Sequence, residues 1–393
     1  MLTSVDPHAV MEQETAAQLG TYAKLPIVAV RGQGIFLYDA TGREYYDFYC
    51  GHAVTLTGHC HPQVVAAIQS QAERLIFYSN IVYSDVRASY AAALMAVAPQ
   101  GYGQVFFCNS GAEANETALK LARKFTGRPT LIAMQGGFHG RTMGALALTS
   151  NPKYKASFEP LLPGVEFAPF GDLDALAAMM NDQVAAVILE PIQSIAGVTM
   201  AEAAYYQGLR ELCDRHGALL IFDEIQTGLG RTGKLWVGEH WGVTPDLITL
   251  AKGIASGVPM GATLVSSRIA ETVHLDEHGS TFGGGPLACA AAHATLEVIT
   301  GPGMIDHAAA MGALLDERLG GLPHVRGLRG LGLLRGLALD VPAKAVQQAA
   351  LDQGVILGTS GDAQVLRVMP PMVVTTTDIE HLATVLEAAL TAI

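Results

Sequence analysis

Leu219-Leu220-Ile221-Phe222-Asp223-Glu224-Ile225-Gln226, followed 29 residues after Asp223 by Lys252 in Leu247-Ile248-Thr249-Leu250-Ala251-Lys252-Gly253, decides how this chain is read. Each piece is a short apolar run of the kind that forms a strand buried on both faces, and each delivers one ionisable residue where the run stops. In open α/β sheets, ligands bind at the carboxyl ends of parallel strands, so the Asp223 carboxylate and the Lys252 amine can share one pocket. A buried lysine beside a buried carboxylate suits a Schiff base to an aldehyde cofactor whose ring nitrogen needs an anionic partner, which describes pyridoxal phosphate. A structural salt bridge would use the same two residues.

The bulk of the sequence narrows the choice. At 393 residues the chain exceeds one ordinary core and suggests two domains. No stretch approaches the roughly 18 uninterrupted apolar residues of a membrane span, and the first residues lack a basic-then-apolar signal pattern. A net charge of −12 argues against nucleic acid or an anionic membrane as partner and for a soluble, cytoplasmic protein. Cys50, Cys60, Cys108, Cys213 and Cys289 are odd in number and never form a C-x-x-C pair, as expected of free thiols in a reducing compartment.

Along the chain, the first 25 or so residues predict an arm or a short helix. Residues 27–49 predict an antiparallel meander turning at Asp39-Ala40-Thr41-Gly42. From about residue 62, helices and strands alternate. A helix runs from Pro62 toward Leu75 and another from Ala112 toward Phe125; strands fall at 104–108, 130–134 and 185–189. That alternation implies a mainly parallel sheet covered by helices, an α/β architecture. After about 300 the order changes to a helix (304–319), strand-like 333–340, a helix near 343–353, short strands near 355–357 and 365–368, and a closing helix. The expected organisation is a large domain at 51–295, with residues 1–50 and 296–393 forming a smaller α+β domain.

Two further constellations carry chemistry. Asn109-Ser110-Gly111-Ala112-Glu113-Ala114-Asn115 joins a strand to a helix, where Ser110 and the backbone N–H groups of Gly111 and Ala112 offer a seat for phosphate. The same residues also make an ordinary N-cap. In Gly136-Gly137-Phe138-His139-Gly140-Arg141 the glycines allow Phe138 to lie against a planar ring and Arg141 to receive a carboxylate; a plain glycine loop with a solvated arginine is the alternative. His59-Cys60-His61 lacks a third and fourth ligand at zinc-like spacing, so no metal is expected.

Taken together, these motifs resemble the class III (ω-amino acid) aminotransferases of fold type I, nearest to the subgroup acting on acetylornithine, ornithine and succinyl-diaminopimelate. The resemblance runs from Tyr38-Asp39-Ala40-Thr41-Gly42-Arg43 to Leu366-Arg367-Val368-Met369-Pro370-Pro371. It implies pyridoxal 5'-phosphate as cofactor, Lys252 as the Schiff-base lysine and proton-moving base, and Asp223 as partner of the pyridine nitrogen. It further implies Gln226 at the phenolic oxygen, Phe138 stacked on the ring, and Ser110, Gly111 and Ala112 in the phosphate-binding turn. Ser280 and Thr281 resemble a pair donated across a homodimer interface, Thr281 to the phosphate and Ser280 toward the substrate. Arg141 and Arg367 resemble the two carboxylate-binding arginines. The implied reaction is ping-pong transamination from N-acetylornithine or a similar ω-amino acid to a 2-oxo acid such as 2-oxoglutarate. The alternatives are an α-amino acid donor such as alanine, and a racemase or aminomutase on the same scaffold.

The chain departs from the subgroup at two places. After Leu189-Glu190-Pro191-Ile192-Gln193 the subgroup reads Gly-Glu-Gly-Gly, whereas this chain reads Ser194-Ile195-Ala196-Gly197. The missing glutamate is the one that masks the arginine matching Arg367 in members that accept ω-amines. Gly285 likewise stands in an asparagine place. Without the masking acid, Arg367 needs a substrate carboxylate, another acid or a solvent anion, which favours donors carrying an α-carboxylate beside the reacting amine.

Overall fold

The structure, a computed structural model, describes residues 6–393. At its centre lies a seven-stranded sheet. In spatial order its strands are Tyr102–Cys108, Gly261–Ser266, Leu247–Leu250, Leu219–Asp223, Val184–Leu189, Thr130–Met134 and Val165–Ala168. Gly261–Ser266 runs antiparallel to both neighbours, and every other adjacent pair is parallel. Every residue of Val184–Leu189, Leu219–Asp223 and Leu247–Leu250 is buried, which is why these segments are continuous apolar runs and not alternating ones.

The helices that cover the sheet show their period in sequence. Gly111–Thr126 buries Ala114, Ala118, Leu121 and Ala122 along one face and ends at Gly127, whose φ of 68° closes the helix in the left-handed region. Pro286–Ile299 is buried on most sides, so its apolar residues show no stripe. This helix, together with Asp85–Val97, Ala203–His216 and the antiparallel strand Gly261–Ser266, went unanticipated from sequence.

Two four-stranded sheets flank this core. The expected meander forms from Ala29–Gln33, Phe36–Asp39 and Glu44–Asp47, and Val355–Ile356 joins it in parallel, pairing Val355 with Tyr46. The other sheet is antiparallel: Val325–Leu331, Leu334–Leu339, Val365–Val368 and Gly358–Thr359. The helices Met304–Leu319, Ala343–Asp352 and Thr376–Thr391 fall where the spacing put them. The N-terminal arm contains a helix, Pro7–Ala17; the first five residues of the arm lie outside the described residues. His59 hydrogen-bonds through Nε2 to Asp47 Oδ2 at 2.8 Å. Among the described residues, no single helix is long and apolar enough to cross a membrane.

Candidate active site

Five of the parallel-running strands end at one edge of the central sheet, and the loops leaving them meet there. Asn109 follows Cys108, Gly136–Arg141 follows Met134, Glu190 follows Leu189, Asp223 closes its own strand, and Lys252 follows Leu250 by two residues. Between them is a cavity of about 360 Å³, whose lining includes Ser110, Gly111, Phe138, Asp223, Gln226 and Lys252. The pairing of Asp223 with Thr249 sets the aspartate strand directly beside the lysine strand.

Asp223 is held in place by buried neighbours. Its Oδ2 accepts from Asn115 Nδ2 and lies 2.8 Å from His139 Nδ1, while its Oδ1 accepts from the N–H of Ile225. Asn115 is oriented in turn: the Thr249 hydroxyl donates to its Oδ1 at 2.8 Å, and its amide also donates to the His139 carbonyl at 2.7 Å. Asn115, His139 and Thr249 sat inside the quoted motifs without a role, because nothing in the spacing shows that three distant segments converge on one carboxylate.

Lys252 begins a single turn of 3-10 helix with φ of 44°, a left-handed conformation that is rare outside glycine. Desolvation lowers its pKa; the charges of Asp223 and Glu190 oppose that shift, and Arg367 adds to it. A lysine so placed gives up its proton more readily than one in water, which suits a nucleophile and base. Glu190, which carried no assigned role in the sequence reading, also lines the cavity. Its Oε1 accepts from the Phe138 N–H at 2.8 Å, and burial beside the charge of Asp223 pushes its carboxyl up to about 7.

At the other wall, Ser110 caps Gly111–Thr126 by accepting from the Glu113 N–H, while Glu113 Oε2 accepts from the Asn109 N–H at 2.6 Å. The N–H groups of Gly111 and Ala112 have no intrahelical partner and lie at the cavity. A Cβ at Gly111 would fall 2.4 Å from Ile225 Cδ1, so any larger residue there requires the Ile225 side chain to shift. Gln226 Oε1 is buried without any hydrogen-bond partner. As the amide O and N are interchangeable by a flip, this end of Gln226 can present either a donor or an acceptor to a ligand.

The remaining expected residues stand outside this cavity. Arg141 is exposed, with its guanidinium 4.3 Å from the Tyr154 ring centroid. Ser280 and Thr281 line a neighbouring cavity of about 300 Å³ that shares Asn109 with the first. Ser280 Oγ accepts from Asn109 Nδ2 at 3.3 Å and from the Gly283 N–H at 3.0 Å, and Thr281 is exposed. Arg367, only 4% exposed, lies on Val365–Val368 and is engaged by neutral groups: Tyr49, Ser194 and Thr359.

Comparison with known proteins settles the family. The profile described as "Aminotransferase class-III" matches residues 19–390. The chain belongs to the class III aminotransferases. An acetylornithine aminotransferase of Methanopyrus kandleri is 45% identical over 95% of this chain and 97% of its own length. A mitochondrial acetylornithine aminotransferase of Alnus glutinosa is 43% identical over 98% of this chain and 88% of its own. Among solved structures, an ornithine aminotransferase of Toxoplasma gondii, described with partial occupancy of PLP at its active site, superposes with a TM-score of 0.93 at 33% identity. It covers 100% of this chain and 95% of that one. An acetylornithine aminotransferase of Elizabethkingia anophelis gives 0.88 at 31% identity, over 98% of this chain and 99% of that one. This class III enzyme is therefore a pyridoxal-phosphate-dependent aminotransferase with the expected α/β fold, acting on amino acids and 2-oxo acids.

Proposed function

We propose that this aminotransferase moves the ω-amino group of N-acetylornithine, or a similar amino acid, to 2-oxoglutarate by ping-pong transfer in the cytoplasm. The observation that carries the site is the placement of Asp223 and Lys252 at the carboxyl ends of two adjacent strands in one cavity. The unpaired Gln226 side chain and the two free N–H groups at the start of Gly111–Thr126 fit a group that carries a phenolic oxygen and a phosphate.

When bound, pyridoxal phosphate supplies an electron sink for the carbanion left when a proton departs from the carbon beside nitrogen. In this reading Asp223, fixed by Asn115 and His139, would face the ring nitrogen of the bound group. Lys252, its pKa lowered, takes and returns the proton. Gly111, Ala112 and Ser110 would hold the phosphate, Phe138 would lie against the ring, and Gln226 would serve the phenolic oxygen. Arg141 and Arg367 receive substrate carboxylates. The same reading divides the chain into a large cofactor unit at 51–295 and a smaller one from 1–50 with 296–393. Reduction of the holoenzyme with borohydride, followed by peptide mapping, should place the pyridoxyl group on Lys252; a label on any other lysine would overturn the assignment. Product analysis with 2-oxoglutarate, pyruvate and glyoxylate as acceptors identifies the transfer.

The reading includes a homodimer. Leu75, Ile76, Phe77, Tyr78, Ile81, Val82 and Tyr83 form an exposed apolar run, and the Phe77 ring lies 4.9 Å from that of the exposed Phe282. Asn80 Nδ2 donates to the carbonyls of Ser280 and Gly283, which ties this run to the loop carrying Ser280 and Thr281. So large an apolar surface beside a loop expected to serve a second site supports pairing of two copies. Mixing inactive Lys252→Ala subunits with inactive Thr281→Ala subunits should restore activity, because each hybrid dimer keeps one intact site. A fully active monomer by light scattering would refute the shared site.

A further inference from the structure

Arg367 is almost fully buried, yet among the described residues no carboxylate pairs with it. Its Nε donates to the Thr359 carbonyl at 2.7 Å, one terminal nitrogen donates to Ser194 Oγ at 3.1 Å, and the other donates to the Tyr49 hydroxyl at 2.6 Å. A guanidinium has five N–H bonds, so three neutral acceptors leave one N–H on each terminal nitrogen. That remaining pair is the set of donors a carboxylate accepts side by side.

The clamp is built from separate parts of the chain. Asp47 Oδ1 accepts from the N–H groups of Tyr49 and Cys50, at 3.0 and 2.8 Å, and its other oxygen is held by His59. Gly358 makes room for the tyrosine, because a Cβ there would fall 2.1 Å from Tyr49 Cε2. Ser194, fully buried, sits in the turn where Gln193 pairs with Thr199, and the next residue, Ile195, ties its carbonyl to the Gly361 N–H at 2.7 Å. Two hydroxyls and a carbonyl fix the direction of the guanidinium without neutralising it.

We propose that Tyr49 and Ser194 are positioning residues that hold Arg367 in one orientation, so that its two remaining N–H groups meet a substrate carboxylate in both halves of the reaction. The proposal rests on the proposed function for the presence of carboxylate substrates, and extends it to which ligands the resting enzyme accepts. A 2-oxo acid binds the cofactor-loaded resting form as well as the form it reacts with, and so competes with the amino donor. Small dicarboxylates that cannot react bind in the same place.

The test uses the holoenzyme and glutarate, an unreactive dicarboxylate, with binding followed by titration calorimetry. Glutarate should bind the resting enzyme and inhibit competitively against the donor. Tyr49→Phe keeps the ring and removes the hydroxyl; it should weaken glutarate about tenfold to a hundredfold, the range for a lost hydrogen bond to a charged group. It should also raise KM for the 2-oxo acid more than it lowers kcat, with thermal midpoint and cofactor content unchanged. Ser194→Ala should act in the same direction and decides the matter if Tyr49→Phe fails to fold. Ile195→Glu, which adds an acid next to Ser194, should weaken glutarate and raise kcat/KM for ω-amines relative to α-amino acids about tenfold. Glutarate affinity within twofold of wild type in both hydroxyl variants overturns the clamp, even in an enzyme that transaminates normally. A chain that binds glutarate in this pattern yet transfers no amino group overturns the proposed activity and leaves the clamp standing.

Discussion

Lys252→Ala should retain the fold and lose transamination by at least about 10³-fold, within the range attributed to a positioned general acid or base. The position admits no substitute. Lys252 leaves the carboxyl end of a buried strand in a left-handed conformation, which directs the following turn and fixes where its amine can reach. The other titratable groups at the cavity are acids or His139, and His139 already faces Asp223 through Nδ1. Single-turnover measurements with excess amino donor would show the loss in the proton-transfer step itself. A variant that still turns over within tenfold of wild type would mean that another group moves the proton.

Much of this site was legible because strands buried on both faces announce themselves. Residues 219–222 and 247–250 are apolar apart from Thr249, and the ionisable residue that follows each run, Asp223 or Lys252, marks where it meets the cavity. Met304–Leu319 and Gly111–Thr126 were legible for a different reason: each faces solvent on one side and keeps a helical period. Pro286–Ile299, enclosed on most sides, has no polar face to expose its period, and the direction of Gly261–Ser266 depends on partners far away in sequence. The hidden part of the site has the same origin. Asn115, His139 and Thr249 approach Asp223 from three elements, and Tyr49, Ser194 and Thr359 approach Arg367 from three others. Ile195, standing where the resembled subgroup carries an acid, was visible in the sequence. The hydroxyls that orient the arginine instead became visible only once the chain was folded.

Asp223→Asn should keep cofactor bound and lose most transfer, by about 10²–10³-fold, with the change mainly in kcat. The carboxylate sits among donors: the Asn115 amide, the Ile225 N–H and the His139 ring, all in a desolvated pocket where an opposite charge on the ring nitrogen would be strongly favoured. An asparagine of nearly the same shape can still fill the space, so binding and stability change less than the chemistry. It cannot, however, stabilise a protonated ring nitrogen, and its amide N–H₂ would face Asn115 or His139 where an acceptor stood. Because Asp223 also opposes the desolvation of Lys252, removing its charge should lower the lysine pKa further. A pH titration of the cofactor-free variant, followed by acylation of the Lys252 amine, should therefore move to lower pH, a readout independent of turnover. Near wild-type kcat together with an unmoved titration would show that another residue serves the ring nitrogen, and Glu190, the other buried carboxyl at the cavity, would then be the first to exchange for glutamine.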